Sequence, residues 1–382
     1  MLQLASYDAA SISTHTAFFH EHVSRTLGPH PRGTGPTTWQ SFMTDDHTPV
    51  ELSWCWSSTS PTPSVRYAVE AIGYPDLDQA CTDDDPSSAL LECTRDLAPG
   101  LDMLLAEHFT NTLTTSGSKR ESGSGSGSES QIFLGFDLNK DKITVKQYFI
   151  PFQRSKKDNT TPLTTIMESL HTLPPQGRTL LQPLNKLTTF LSSPNQTQQE
   201  IQIQILATDN LPPTQSRIKL YLRNKTTTFP SVLNMLTLNN QIPLSAEMRA
   251  TLKELWELVF GVLSVDSALG DGDMHPTAGM LYYYELGPGS VVPKSKVYLP
   301  VRHYARDDAQ VARGLDAFLS RRGLGLGLGS RGYFEGVGEL CEHRELESGL
   351  GFHTYISFAC EGDRWNVTSY INPEVYHSSR DA

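Results

Sequence analysis

The sequence predicts an α+β fold in which ten antiparallel β-strands surround a central lumen and helices form an outer ring. Three observations predict it: five hairpin-like pairs of segments, helical segments between the pairs, and a regular spacing of the pairs along the 382 residues. Sequential hairpins leave two exposed edges unless the sheet closes, so we expect a closed barrel. We expect residues 1–382 to form a single domain of about five helix–helix–strand–strand repeats.

Each predicted hairpin consists of two runs in which apolar and polar residues alternate, the pattern of a strand with two different faces. Polar or turn-rich connections join the two runs. The pairs are PVELSWCWS with SVRYAVEAIG, QIFLGFDL with ITVKQYFIPF, IQIQILATD with SRIKLYLR, MLYYYELG with SKVYLPVRHY, and FHTYISFAC with WNVTSYINP.

Apolar residues at helical spacing predict helices between the hairpins. The segments are SALLECTRDLAPGLDMLLAEHF, PLTTIMESLHTL, AEMRATLKELWELVFGVL and DAQVARGLDAFLSRRG. The repeat is about 75 residues long, because equivalent positions on the second strands fall at Arg66, Lys146, Lys219, Lys296 and Tyr370.

Two low-complexity segments are expected to be loops. The segment GSKRESGSGSGSESQ predicts a flexible loop near residues 117–130. The segment GLGLGLGS follows a helical pattern and does not match GxGxxG, so it does not predict a dinucleotide site.

Composition and charge exclude several classes of protein. A net charge of −11 argues against a general nucleic-acid binder. The first residues, MLQLASYDAASIST, lack the features of a signal peptide, and no apolar run approaches the length of a spanning helix. Five cysteines without a CxxC pair fit a reducing compartment. We therefore expect a soluble cytoplasmic protein without a nucleic-acid or membrane partner.

The second strands carry a row of cations interleaved with tyrosines. In SRIKLYLR, alternation places Ile218, Leu220 and Leu222 on one face and Arg217, Lys219, Tyr221 and Arg223 on the other. In a barrel covered by helices, the apolar face packs outward and the polar face lines the lumen.

Matching register would bring five cations into one lumenal layer, together with three tyrosines. The set comprises Arg66, Lys146, Tyr148, Arg217, Lys219, Tyr221, Lys296 and Tyr298. Buried cations without partners are costly, and a diphosphate would satisfy them. Tyrosine ring faces stabilise a carbocation. Such alternation on a single strand is more often a solvated surface, but five aligned occurrences favour a site.

The acidic residues are not expected to bind a metal. Glu51 shares a face with Ser53 and Cys55. Two roles are open for its carboxylate: a salt bridge to Arg66, and the orientation of an aromatic nucleophile. The runs CTDDDPSS, GDGDMH and RDDAQ lack DDxxD spacing and predict caps and turns, so no metal site is expected.

A family resemblance covers nearly the whole chain. The motifs ELSWCW…SVRYAVEAIG, KQYFIPF, ATDNLPPTQSRIKLYLR, PKSKVYLPVRHYARDDAQVARGL and GFHTYISF…WNVTSYINPEVYH together resemble fungal aromatic prenyltransferases of the dimethylallyltryptophan synthase family. The resemblance implies an αββα prenyltransferase barrel. It also implies transfer of a dimethylallyl group from dimethylallyl diphosphate to an indole or related aromatic acceptor, in alkaloid or other secondary-metabolite biosynthesis, without a metal or other cofactor. A homodimer is compatible with it.

The resemblance also implies residue roles. Arg66, Lys146, Arg217, Lys219 and Lys296 would bind the diphosphate, with Lys219 and Glu51 as the catalytic residues and Glu51 holding the indole N–H. The tyrosine shield would comprise Tyr148, Tyr221, Tyr298, Tyr370 and Tyr355.

The sequence departs from the family at the acceptor pocket. Phe133 stands where some tryptophan-using members carry a lysine, which disfavours attack by C4 of free tryptophan. We expect Phe133, Tyr282 and Tyr284 to line this pocket. The alternatives are a phenolic or polyketide acceptor, or a non-catalytic barrel that binds an anionic small molecule.

Overall fold

The computed structural model describes residues 1–30, 39–73, 86–115, 130–193, 201–262, 264–265, 267–270, 275–327 and 331–380. Apart from Ser130, the predicted flexible loop lies outside these ranges. Ten strands are found in the described residues: β1 Val50–Ser57, β2 Ser64–Val69, β3 Ile132–Asn139, β4 Lys142–Phe149, β5 Ile201–Asp209, β6 Ile218–Asn224, β7 Met280–Leu286, β8 Lys294–Leu299, β9 His353–Glu361 and β10 Arg364–Ile371.

The ten strands form a closed antiparallel barrel. Each strand pairs with the next one along the chain, and β10 returns to pair with β1, with Trp54 opposite Ser369. All five predicted hairpins and the predicted closure are confirmed. The extent of the domain, residues 1–382, stays a prediction.

Strand alternation separates two buried layers. On β6, Leu220 and Leu222 belong to the main apolar core outside the barrel, whereas Tyr221 belongs to a second apolar cluster inside the lumen. On β1, the outward Trp54 and Trp56 rings lie 6.0 and 5.4 Å from the ring of Tyr333. Because both faces of the strands are covered, every residue of β6 is buried.

Helices cover the outside of the barrel. In the described ranges they are α1 Ala9–Phe18, α2 Pro86–Glu92, α3 Leu104–Leu113, α4 Phe152–Lys157, α5 Pro162–His171, α6 Leu184–Leu191, α7 Phe229–Thr237, α8 Ala246–Phe260, α9 Val301–Tyr304, α10 Asp308–Ser320 and α11 Tyr333–Leu340. Hydroxyl and carboxylate side chains accept hydrogen bonds from the first-turn backbone of several helices: Thr161 of α5, Thr228 of α7, Ser245 of α8 and Asp307 of α10.

Proline and glycine divide one predicted helical segment, and an aspartate caps another helix. The segment 88–109, predicted to be helical, contains most of α2 and of α3, and the chain between these helices contains Pro99 and Gly100, the latter at a φ of 82°. The acidic run RDDAQ caps α10 through Asp307, as predicted. Residues 81–85 and 271–274 of the other two acidic runs lie outside the described residues.

No described helix is long and apolar enough to cross a lipid bilayer.

The contact between α8 and α10 depends on a glycine. A Cβ atom on Gly314 would lie 2.1 Å from the carbonyl oxygen of Leu258. The backbone fixes the positions of both the Cβ atom and the carbonyl oxygen, so no change of side-chain rotamer can relieve the overlap. The two helices therefore approach as closely as they do only because position 314 lacks a side chain.

We predict that Gly314→Ala lowers the free energy of unfolding by about 1–3 kcal/mol, because α8 and α10 must separate to admit the methyl group. Chemical denaturation monitored by circular dichroism measures this change. Gly338→Ala is the matched control: Gly338 lies on α11 with no atom within 4 Å of its Cβ position, so alanine there should be neutral or slightly stabilising. Equal effects of the two substitutions would contradict the prediction.

Candidate active site

The five predicted cations lie together in the lumen. Arg66 on β2, Lys146 on β4, Arg217 just before β6, Lys219 on β6 and Lys296 on β8 line one cavity, as predicted. We call these five residues the cation layer. On one side each lysine has a small cross-strand neighbour, with Gly135 opposite Lys146, Ala207 opposite Lys219, and Ala359 opposite Lys296. On the other side the neighbours are Asp209, Glu285 and Tyr283. Small neighbours leave space over the charged groups. The assignment of these cations to diphosphate stays a prediction.

Three carboxylates that the sequence analysis did not identify pair with these cations. Asp137 on β3 contacts Arg66 at 3.4 Å and forms an ion pair with Lys146. Asp209 on β5 contacts Arg217 at 2.6 Å and Lys219 at 3.4 Å. These carboxylates lie on the first strands of their hairpins, where the same period-two alternation would have placed them.

Glu285 on β7 completes the carboxylate set. It lies 3.3 Å from Arg217 and 3.9 Å from Lys219. Lys296 has no carboxylate partner in the described part of the chain; its Nζ is 3.1 Å from the Tyr370 hydroxyl and 3.4 Å from that of Thr368. Five cations therefore face three carboxylates, which leaves an excess of two positive charges.

The pKa values reflect this arrangement. Burial acts to raise the pKa of Asp137, but the charges of Arg66 and Lys146 outweigh it and hold that pKa well below its usual range. Burial lowers the pKa of Lys146 to about 8, against the opposing effect of Asp137. Burial likewise acts to raise the pKa of Asp209, and Lys219 and Arg217 outweigh it. Asp137 and Asp209 are therefore ionised at neutral pH and hold their cation partners in place.

A layer of tyrosine rings lies next to the cation layer. Four of its members were predicted, Tyr148, Tyr221, Tyr298 and Tyr370, and Tyr283 is the fifth; together they form what we call the tyrosine layer. Ring centroids are 5.9 Å apart for Tyr148 and Tyr221, 6.1 Å for Tyr221 and Tyr298, and 5.4 Å for Tyr298 and Tyr370. The Nζ of Lys296 lies 4.9 Å from the ring centre of Tyr298.

Strand β7 carries three consecutive tyrosines, and only the middle one faces the lumen. Tyr282 and Tyr284 were expected to line the acceptor pocket, which is wrong: both are fully buried in the core outside the barrel, and Tyr284 donates to the carbonyl of Met235 at 2.7 Å. Tyr283, between them, faces the lumen and lies opposite Lys296 on β8. Tyr283 shares a face with Glu285, two residues further along β7, so the same alternation would have identified it as the inward tyrosine.

Glu51 lies on β1 at the edge of the same cavity. Its Oε1 accepts a hydrogen bond of 2.6 Å from the Thr354 hydroxyl. Burial raises the pKa of Glu51 to about 7, although Thr354 and Arg302 oppose this rise. The alternative salt bridge to Arg66 is not found among the described residues, because Arg66 lies opposite Ser53 and pairs with Asp137. Among the described residues Thr354 is the only hydrogen-bond partner of the Glu51 carboxylate, so Oε2 can accept a hydrogen bond from a ligand.

Aromatic and apolar side chains continue the lumen beyond the tyrosine layer. Phe133 stacks on Tyr148 with ring centroids 4.3 Å apart and an interplanar angle of 10°. Tyr355 meets Tyr298 edge-on at 5.9 Å. Ile205 and Leu281 belong to the same cluster. Phe133 lies in this part of the lumen as expected, whereas Tyr355 lies beyond the tyrosine layer that it was expected to complete. This part of the lumen can hold an aromatic ring.

Gly135 is a position where only glycine fits. A Cβ atom there would lie 2.9 Å from Cε2 of Tyr148. The Tyr148 ring therefore lies over the backbone of β3, and this position makes room for the stacked pair of Phe133 and Tyr148.

The closed barrel, the cation layer and the adjoining tyrosine layer define the chain as an aromatic prenyltransferase. It belongs to the tryptophan dimethylallyltransferase family, which it matches over residues 1–334. This membership confirms the resemblance stated from the sequence motifs.

Individual relatives act on different acceptors. The chain is 44% identical over all of its length, and 86% of the relative, to 4-O-dimethylallyl-L-tyrosine synthase of Claviceps purpurea. It is 29% identical to 7-dimethylallyltryptophan synthase of Aspergillus fumigatus, covering 98% of this chain and 83% of that one. The crystal structure of AnaPT from Neosartorya fischeri shares the fold, with a TM-score of 0.77, 23% identity, and coverage of 97% of this chain and 90% of that one.

We predict that Asp209→Asn lowers the free energy of unfolding by about 3 kcal/mol at pH 7, because Arg217 and Lys219 lose a buried partner. Since the folded-state pKa of Asp209 is below its unfolded value, its contribution is complete above pH 4 and disappears as pH falls further. The difference from wild type should therefore shrink below about pH 4. Chemical denaturation at several pH values measures it.

The control is Asp158→Asn, which removes an exposed ion pair between Asp158 and Arg154. It should change the free energy of unfolding by less than about 0.5 kcal/mol. An Asp209→Asn variant as stable as this control would show that Asp209 does not hold the cation layer together.

Proposed function

We propose that the chain transfers a dimethylallyl group from dimethylallyl diphosphate to the phenol oxygen of an aromatic amino acid, with L-tyrosine as the first candidate. The observation that carries the reaction is the excess positive charge of the cation layer beside a wall of five tyrosine rings. The 44% identity to a 4-O-dimethylallyl-L-tyrosine synthase supports the acceptor.

Ionisation of the donor is the first step. The bond between the allylic carbon and the diphosphate oxygen breaks, and its electron pair leaves with the diphosphate. Negative charge then grows on oxygens beside five preorganised cations, a type of electrostatic stabilisation that contributes strongly to catalysis. Lys296, which has no carboxylate partner among the described residues, is available to pair with this charge.

The tyrosine layer protects the resulting allylic cation. Electron-rich ring faces attract a cation, and closely spaced rings exclude water that would otherwise capture it. Burial raises the pKa of Tyr148 and Tyr221, so their hydroxyls stay protonated and cannot add to the cation as phenolates. Their hydroxyls remain hydrogen-bond donors.

The acceptor oxygen then attacks the allylic carbon. As the carbon–oxygen bond forms, the phenol O–H bond breaks and its proton passes to the carboxylate of Glu51. A pKa near 7 suits this role, because the group is ionised in a useful fraction and still basic. Phe133, stacked on Tyr148, contributes an apolar wall and no base.

An indole acceptor is the second candidate. It is favoured by the family match and by the 29% identity to a 7-dimethylallyltryptophan synthase. In that case the Glu51 carboxylate accepts a hydrogen bond from the indole N–H. Independence from metals, homodimer formation and a cytoplasmic location are further predictions from the sequence.

We predict that the purified chain, incubated with dimethylallyl diphosphate and L-tyrosine, forms tyrosine enlarged by one isoprene unit, attached through oxygen. Mass spectrometry and proton NMR identify the product, and L-tryptophan is tested in parallel. Because side-chain cations are proposed to replace a metal, addition of EDTA should leave the rate unchanged.

Variants give the controls for this assay. Lys219→Ala should reduce the rate about 10²- to 10³-fold, because one preorganised anion partner is lost. The matched control is Lys253→Ala, which removes only a half-exposed ion pair on α8 and should retain the wild-type rate. Product from an indole and none from tyrosine would reject the phenol acceptor, and no product from either would reject the proposed reaction.

We predict that Glu51→Gln changes the pH profile as well as the rate. In the wild type, kcat/KM for the acceptor should rise with pH through about 7, because ionised Glu51 is the base. The glutamine variant should be about 10²-fold slower and flat over the same range. Initial rates between pH 5.5 and 8.5 measure both profiles. A variant that retained the wild-type rise would exclude Glu51 as the titrating group.

A further inference from the structure

A second cluster of cations lies beyond the tyrosine layer. Arg223 on β6 and Arg302 on α9 both donate hydrogen bonds to the hydroxyl of Tyr355, at 3.1 and 3.0 Å. The Arg302 guanidinium carbon also lies 4.6 Å from the centre of the Tyr355 ring. We call Arg223, Arg302 and Tyr355 the arginine cluster. Both arginines are nearly buried, with Arg223 3% exposed and the Arg302 side chain 7% exposed.

The position of this cluster follows from strand β6. Lys219, Tyr221 and Arg223 alternate along the same face of the strand, so the cation layer, the tyrosine layer and the arginine cluster follow one another along the lumen. Four residues of extended strand span about 13 Å. The arginine cluster is therefore too far from the cation layer to contact the same diphosphate.

Charge is not balanced in the arginine cluster. Asp45 contacts Arg302 at 2.9 Å, but Arg223 contacts only neutral acceptors, among them Gln204 at 3.2 Å and the carbonyl of Gly279 at 3.2 Å. No carboxylate contacts Arg223 in the described ranges. A buried guanidinium without a carboxylate is costly unless a ligand supplies the negative charge.

Some hydrogen-bond donors of the arginine cluster have no acceptor in the described parts of the chain. The Tyr355 hydroxyl accepts from both guanidinium groups, which occupies its two lone pairs and leaves its own hydrogen to donate. Nothing in the described parts of the chain accepts this hydrogen or those of Arg302 Nη1. Guanidinium and phenol donors beside each other suit a carboxylate, whose two oxygens accept several hydrogen bonds.

We infer that the arginine cluster binds the α-carboxylate of a free amino-acid acceptor, an inference that rests on the proposed function. Asp45 lies 2.9 Å from Arg302 and supplies negative charge for the α-ammonium group. An acceptor held in this way reaches from Arg302 to Glu51 and places its ring beside Phe133 and the tyrosine layer. The site therefore selects free amino acids over the corresponding amines.

Paired ligands test the inference directly. Isothermal titration calorimetry measures the binding of L-tyrosine and of tyramine, which lacks only the carboxylate, and of L-tryptophan and tryptamine. Each amino acid should bind about 10- to 100-fold more tightly than its amine, because charged hydrogen bonds are lost with the carboxylate. Since no turnover is needed, the result does not depend on the reaction.

Variants test whether the arginine cluster causes the preference for amino acids over amines. Arg302→Met should weaken binding of L-tyrosine about 10- to 100-fold and leave tyramine nearly unchanged, so that the preference disappears. Tyr355→Phe should weaken it less, because the ring is retained. Arg364→Met, at an exposed arginine on β10, should leave the preference at its wild-type value. Thermal melting shows whether each variant is folded.

Two kinds of failure can be told apart. Equal affinities of the wild type for tyrosine and tyramine, and for tryptophan and tryptamine, would overturn the inference even if prenylated product formed. Equal loss of both ligands in a folded Arg302→Met variant would also overturn it. Selective binding of the amino acids without any prenylated product would support the carboxylate site and contradict the proposed reaction.

Discussion

The structure depends on an excess of positive charge in the lumen of a closed barrel. Three carboxylates, Asp137, Asp209 and Glu285, hold four of the five cations in position and leave the cation layer with an excess of positive charge. In a lumen shielded from solvent, two uncompensated positive charges cost free energy in the empty protein and are offset when an anion arrives. The same carboxylates limit that cost, so the chain can keep a strongly anion-attracting interior and still fold. The barrel must be closed for this to work, because an open sheet would let water screen the charges.

Strand alternation is what allows one sheet to serve two environments. Outward residues such as Trp54, Trp56 and Leu220 pack under the helices and stabilise the barrel, and inward residues at the intervening positions form the site. The layers inside the lumen also follow from this period, since Lys219, Tyr221 and Arg223 are two residues apart on β6. Substitutions on the outward face therefore affect mainly stability, whereas those on the lumenal face affect binding and, where they break an ion pair, stability as well.

The barrel, its strand order and the five lumenal cations follow from the sequence, because each depends only on alternation and on a repeat of regular length. The same rule would have identified Asp137 and Asp209, had it been applied to the first strands of the hairpins. Tyr283 follows from the same rule, because it lies two residues before Glu285 on β7 and therefore shares its face. Arg302 cannot be placed by alternation at all, since it lies on the short helix that follows β8. Neither its ion pair with Asp45 nor its contact with Tyr355 has a local signal.

The pairing of β1 with β10 has a consequence for how the molecule is made. These strands lie near opposite ends of the chain, with Cys55 opposite Thr368. During synthesis, β1 has no partner on that side until almost the whole chain has left the ribosome, and each newly made hairpin presents an open edge in the meantime. Such sequence-distant pairing slows folding. Loss of the last strand alone would leave β1 and β9 as unpaired edges, and would turn a closed cylinder into a sheet prone to self-association.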